Sequence, residues 1–179
     1  MEIFQKKIPK EFLESLPEGM KLVRRNNKNF LVVEKLLCPN GHILMDESIQ
    51  IHEEPAIKLK VKDGFNHGYL FVDAFWGSHS KLYSFIPKHS ESLDSLEIEC
   101  PICGVSLTFA EKCSLSSCSS MKAVELKLPG KNRIIACAKL GCPGHRMEIT
   151  ELPGSVAAAV SNINFYVENF DNNDFFMGV

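Results

Sequence analysis

Seven cysteines and two nearby histidines are the side chains of this sequence best able to do chemistry. Three cysteines open a short turn and are followed directly by proline: Cys38 in CPNGH, Cys100 in CPICG and Cys142 in CPGH. Proline fixes φ and bends the chain. A glycine on the far side of the turn permits the backbone angles that a tight reversal needs. Two donor atoms on such a turn can face one point, and a tetrahedral zinc site takes four protein donors. Each turn therefore supplies half a site, and the other half must come from elsewhere in the chain.

The most specific of these signals is CPICG, with Cys100 and Cys103 two residues apart. A redox dithiol at that spacing wants a βαβ setting with a helix after the pair. Here VSLTFAEKC follows, which reads as a strand, so metal ligation by Cys100 and Cys103 is the better reading. Its partner is CPNGH, in which Cys38 and His42 flank Pro-Asn-Gly at a spacing that suits the longer reach of imidazole. On these two motifs the chain resembles a zinc ribbon, in which two knuckles at the ends of β-hairpins grip one zinc. The resemblance implies a metal site and no particular activity. The chain departs from the ribbon pattern in using a histidine for one cysteine. It also places a long insertion, Ile43 to Glu99, between the knuckles.

A second set comprises Cys113, Cys118, Cys137, Cys142 and His145. CSLSSC and CAKLGC share the same gap and lie on opposite sides of a strong hairpin signal, Pro129-Gly130-Lys131-Asn132. With the first set this makes nine candidates for eight places. The favoured assignment uses all four cysteines, with His145 as a neighbour; the alternative puts His145 in place of one of them. An iron–sulfur cluster is the competing cofactor for the second set, although its spacing matches no ferredoxin-like run.

Positioning these residues requires a chain rich in strands. IKLKVKDG alternates as a half-buried strand does, GYLFVDAFW and KLYSFIP carry β-branched and aromatic residues, and KLVRRNNKNFLVVEKLL reads as two β segments around a polar tip. MKAVELKLPGKNRIIAC reads as a hairpin. Helix is expected only as a short turn in PKEFLESL and a short segment from Ser155. The expected fold is mainly β with little α, built from zinc-ribbon-like elements, an inserted β region and a C-terminal zinc-stabilised hairpin. The expected regions are 1–112 with the first site, 113–150 with the second, and an acidic, aromatic tail at 151–179.

The length of 179 residues can bury a real core, and a net charge of −2 gives no overall basic field that would draw nucleic acid or anionic lipid. No export signal and no apolar run of membrane-spanning length are visible. A cytoplasmic protein is therefore expected, where thiols stay reduced and an odd number of cysteines needs another use. Two bound zinc ions are expected, and the leading function is a zinc-binding structural protein serving as a protein-interaction or regulatory module. A nucleic-acid-binding rival would rest on Lys21, Arg24, Arg25 and Lys28, four basic residues beside Phe30. A metal-dependent enzyme is the weaker rival, because filled zinc sites leave no position for water. His52 in HEE superficially matches a zinc-deaminase signature, but the order of Pro and Cys downstream does not. His67, Asp73 and His79 read as surface turn residues, and Phe75 and Trp76 as core.

Overall fold

The computed structural model describes residues 8–63, 66–78, 80–84, 97–139 and 141–163. Among them the chain is mainly β, as expected, with two short helices, α1 (Lys10–Glu14) and α2 (Gly154–Ser161). The organising element is β4 (Glu54–Asp63), the longest strand described. Ile57, Leu59 and Val61 are buried, while Lys58, Lys60 and Lys62 between them are partly exposed, which is the period of a strand with one face on a core. One edge of β4 pairs with β5 (Asn66–Val72), and β6 (Lys81–Tyr83) continues the sheet beyond it. The other edge is shared. β3 (Met45–Ile51) covers its first part, Ile57 opposite Met45, and β7 (Glu97–Glu99) covers its second, Lys60 opposite Glu99.

Two-residue turns with both residues at positive φ close two hairpins. Asn26 (φ 48°) and Asn27 (φ 61°) join β1 (Met20–Arg25) to β2 (Lys28–Val33). Asparagine tolerates these angles, and the polar tip was legible for that reason. His52 (φ 52°) and Glu53 (φ 66°) join β3 to β4, and neither is a usual turn former. What secures this turn is tertiary: His52 Nδ1 lies 2.8 Å from Asp73 Oδ2. The HEE segment is thus a hairpin tip.

The second sheet runs in the order β11 (His145–Glu148), β10 (Arg133–Cys137), β9 (Lys122–Lys127), β8 (Thr108–Ala110), all antiparallel. Val124, Leu126 and Ile134 turn inward from it, and Leu126 stands opposite Ile134. One buried cluster runs from Phe12 through both large sheets to Val160 and Ile163. Phe75 and Trp76 belong to it, and Trp76 Nε1 donates to the Val160 carbonyl at 2.8 Å, tying α2 down. The strand pairing crosses the boundary expected at 112/113, because β8 lies before it and pairs with β9 beyond it. Of the expected tail, α2 is described, and 164–179 lie outside the described residues.

Candidate metal centres

The shared edge of β4 explains how two knuckles so far apart in sequence come together. Leu44, just after the first knuckle, accepts a hydrogen bond from Lys58 N, and Glu99, just before the second, pairs with Lys60. The insertion leaves the first knuckle as β3, supplies β4 itself and comes back as β7 on the same edge. The two knuckles are built alike. Each is closed at its base by an isolated bridge, Leu37 with Ile43 and Glu99 with Ser106. Each places a glycine at positive φ after the turn, Gly41 at 85° and Gly104 at 72°, angles that side chains with a Cβ resist.

The ligand atoms of Cys38, His42, Cys100 and Cys103 all lie within 4.8 Å of one another, and those of Cys113, Cys118, Cys137 and Cys142 do the same. In the first group Cys38 Sγ is 3.5 Å from His42 Nδ1 and 3.9 Å from Cys103 Sγ. In the second, Cys113 Sγ is 3.7 Å from Cys142 Sγ and Cys118 Sγ is 3.8 Å from Cys137 Sγ. A tetrahedron of sulfurs about 2.3 Å from its centre has edges of about 3.8 Å, and a sulfur–nitrogen edge around zinc is about 3.5 Å. A disulfide requires sulfurs about 2.05 Å apart, and all seven cysteines are free thiols.

Amide donors face the sulfurs of the first group. His42 N lies 3.4 Å from Cys38 Sγ, Ile102 N lies 3.4 Å from Cys100 Sγ, and Asn40 Nδ2 donates to Cys103 Sγ at 3.5 Å. Backbone donation by Val105 lowers the Cys103 thiol to about 6, with Asn40 adding to the effect. Burial pulls Cys38 up, but the amide and ring of His42 outweigh it and the net shift is down. His42 itself is raised, first by the Cys38 sulfur and then by that of Cys103. Burial raises Cys100.

The second group owes its convergence to parity. In an antiparallel sheet alternate connections fall at the same end, so the β8–β9 link, with Cys113 and Cys118, meets the β10–β11 link, with Cys142 after Cys137. The hairpin of Pro129 and Gly130 lies at the opposite end. Burial drives the Cys142 thiol well above the ordinary range and raises Cys137, while the Ser120 amide lowers Cys118. Four sulfurs crowded together resist ionising together, and a divalent cation removes that conflict by binding all of them as thiolates.

His145 stays outside the group. Its Nδ1 lies 2.8 Å from the Pro143 carbonyl oxygen and its Nε2 2.8 Å from that of Ile163, so both ring nitrogens face oxygen. The ring stands edge-on to Trp76 with centroids 4.7 Å apart. Of the basic residues, Lys21 Nζ is 2.7 Å from Glu54 Oε2, and Arg25 is 3.6 Å from Glu53 and sits over the Phe75 ring. Arg24 pairs across β1–β2 with Asn29, and Arg25 with Lys28. The structure does not gather these four around one cleft.

Asp73 is a buried hub that sequence reading placed at the surface. It accepts from Ser78 Oγ at 2.6 Å and Phe75 N at 3.0 Å, besides facing His52. Phe75 and Ser78 are local partners, but His52 comes from another hairpin and leaves no local signal. His67 is exposed on β5, and His79 lies outside the described residues.

Fold and site together define a mainly β protein with two cysteine-rich clusters that can each hold a metal ion. Comparison of the chain with models of known families, with curated proteins and with solved structures gives no match. Among the described residues no helix is long and apolar enough to cross a membrane.

Proposed function

We propose that the protein is a zinc-stabilised structural module, with one ion held by Cys38, His42, Cys100 and Cys103 and a second by Cys113, Cys118, Cys137 and Cys142. The observation that carries this reading is that the donors of each group lie within 4.8 Å of one another, with contacts of 3.5 to 3.9 Å among them that match the edges of tetrahedra around single ions. A polynuclear iron–sulfur cluster attaches its cysteines to different irons and spreads the sulfurs further than around one ion, so the spacings favour zinc. Four protein donors at each centre leave no place for an activated water, which favours a structural role over catalysis. The module acts by presenting a surface to another protein. Ile43 and Ile102, 51% and 62% exposed, flank the first centre and suit such contact.

Metal analysis of the reduced, freshly purified chain tests the reading. Two zinc ions per chain are expected, falling to one when Cys103 or Cys137 is changed to serine. A chain that is folded and metal-free under reducing conditions would overturn it.

A further inference from the structure

The seven cysteines differ in how far solvent reaches them. Cys103 alone is exposed. Beside it Cys38 and Cys100 are buried, at 1% and 0% exposure, and the four of the second centre are buried or half-buried. Cys103 stands at the tip of its knuckle between Ile102 and Gly104, both exposed as well. Its sulfur has Asn40 Nδ2 at 3.5 Å in an exposed contact and Cys38 Sγ at 3.9 Å in a part-buried one. An accessible thiolate with a second sulfur behind it is the arrangement of an oxidation-sensitive pair, in which the outer sulfur reacts and the inner one resolves.

We propose that Cys103 is the site at which peroxide attacks this protein, and that a disulfide to Cys38 then opens the first centre while the second stays closed. The inference rests on the structural-zinc reading, because a cysteine that ligates zinc is held as the thiolate, the form that reacts. In the first step the Cys103 sulfur attacks one peroxide oxygen. An S–O bond forms, the O–O bond breaks, and the departing hydroxide takes a proton from solvent, leaving a sulfenic acid on Cys103. In the second step the Cys38 thiolate attacks that sulfur. An S–S bond forms, the S–O bond breaks, and a second hydroxide leaves to become water. Two electrons pass from the sulfurs to peroxide, and the zinc ion keeps its charge. The sulfurs close from 3.9 Å to about 2.05 Å. His42 and Cys100 alone then remain at a centre that needs four donors, so the ion leaves. A dithiol reductant returns both thiolates.

The test treats the full, reduced, zinc-loaded chain with hydrogen peroxide. A chromophoric chelator follows released zinc, and peptide mass spectrometry locates the cross-links. Loss of one ion of two, together with two thiols, is expected first, with Cys38 joined to Cys103. Dithiothreitol and added zinc are expected to restore both. Asn40→Ala leaves every ligand in place but takes a hydrogen-bond donor from the Cys103 sulfur, and is expected to speed the release severalfold. A first cross-link other than Cys38 to Cys103, release of both ions together, retention of both in millimolar peroxide, or an unchanged rate in Asn40→Ala would each overturn the proposal and leave the zinc reading standing. A folded chain with no bound ion before peroxide is added would overturn both.

Discussion

Cys38 and Cys103 meet across the first centre from 65 residues apart, whereas Cys113 and Cys142 meet across the second from 29. Loop length alone separates the two by only about 0.7 kcal/mol of closure entropy. What differs is the content of the loop. Between the first pair lie β3 to β7, an entire sheet that must fold before the knuckles can meet. Between the second pair lies one hairpin whose strand order already brings the four sulfurs to one end. The first centre is thus a product of the global fold, and the second is a clasp on one edge of it. Burial is graded within both centres: Cys38 and Cys100 are almost wholly buried and Cys103 is exposed in the first, while Cys118 is buried and Cys113, Cys137 and Cys142 are part-exposed in the second.

The largest effect expected from this contrast comes from removing one ligand at each centre. A structural zinc contributes about 10–16 kcal/mol of apparent binding free energy. Whole domains are stable by about 5–15 kcal/mol. Cys100→Ser strikes the centre that pins both β3 and β7 to β4, so loss of amide-exchange protection is expected throughout, β4 and β5 included. Cys118→Ser is expected to strip protection from the ends of β8 to β11 while β4 and β5 keep theirs. Uniform loss of protection in both variants would erase the distinction between the two centres.

Acid separates the centres more gently. Proton and metal ion compete for the same lone pair, so a thiol shifted upward gives up its ion at higher pH. Burial shifts Cys137 and Cys142 upward from 9.0, and backbone donation holds Cys103 at about 6. His42, raised from 6.5 by the two sulfurs, opposes this trend in the first centre. Cys100, raised by burial, also opposes it, and Cys118, lowered by the Ser120 amide, moderates the second centre, but the upward shift that burial gives Cys142 is the largest in either centre. As pH falls, the second centre is expected to release its ion first. A chromophoric chelator follows the two steps, and cysteine-to-serine variants assign them. Release in the opposite order would show that His42 governs acid sensitivity.

The sequence disclosed the parts of the molecule whose physics is local. Proline-bent cysteine turns, the alternation around Leu59 and the Asn-Asn tip announced themselves, because each depends on residues within a few positions. The strands β3 and β11 did not. MDESIQI holds its place through pairing with β4 and carries a bulge between Asp46 and Gln50. HRME is pinned by ion pairs of Arg133 with Glu148 and of Arg146 with Glu111. Neither source of stability leaves a hydrophobic period to read. The convergence of eight of the nine candidates into two groups of four was legible as types and spacing. The exclusion of His145 was not, since it turns on carbonyls of Pro143 and Ile163, the latter supplied by the segment after α2.

The smallest effect tests whether the second centre is packed as tightly as it is built locally. Gly144 precedes β11, and a Cβ placed there would lie 3.0 Å from Cys113 Sγ and 3.5 Å from Cys142 Sγ. The first distance is short enough that the sulfur must yield by a few tenths of an ångström, and a sulfur held in a tetrahedron yields at the expense of its metal bond. Strain of this kind in a packed site costs about 1–3 kcal/mol. Gly144→Ala is therefore expected to weaken one of two bound ions by about tenfold or more in chelator competition. The other ion, 3.5 Å geometry of Cys38 and His42 included, should be untouched. Weakening of both ions together would mean that strain at one sheet end reaches the knuckles through the shared core, and the second centre would then be no more local than the first.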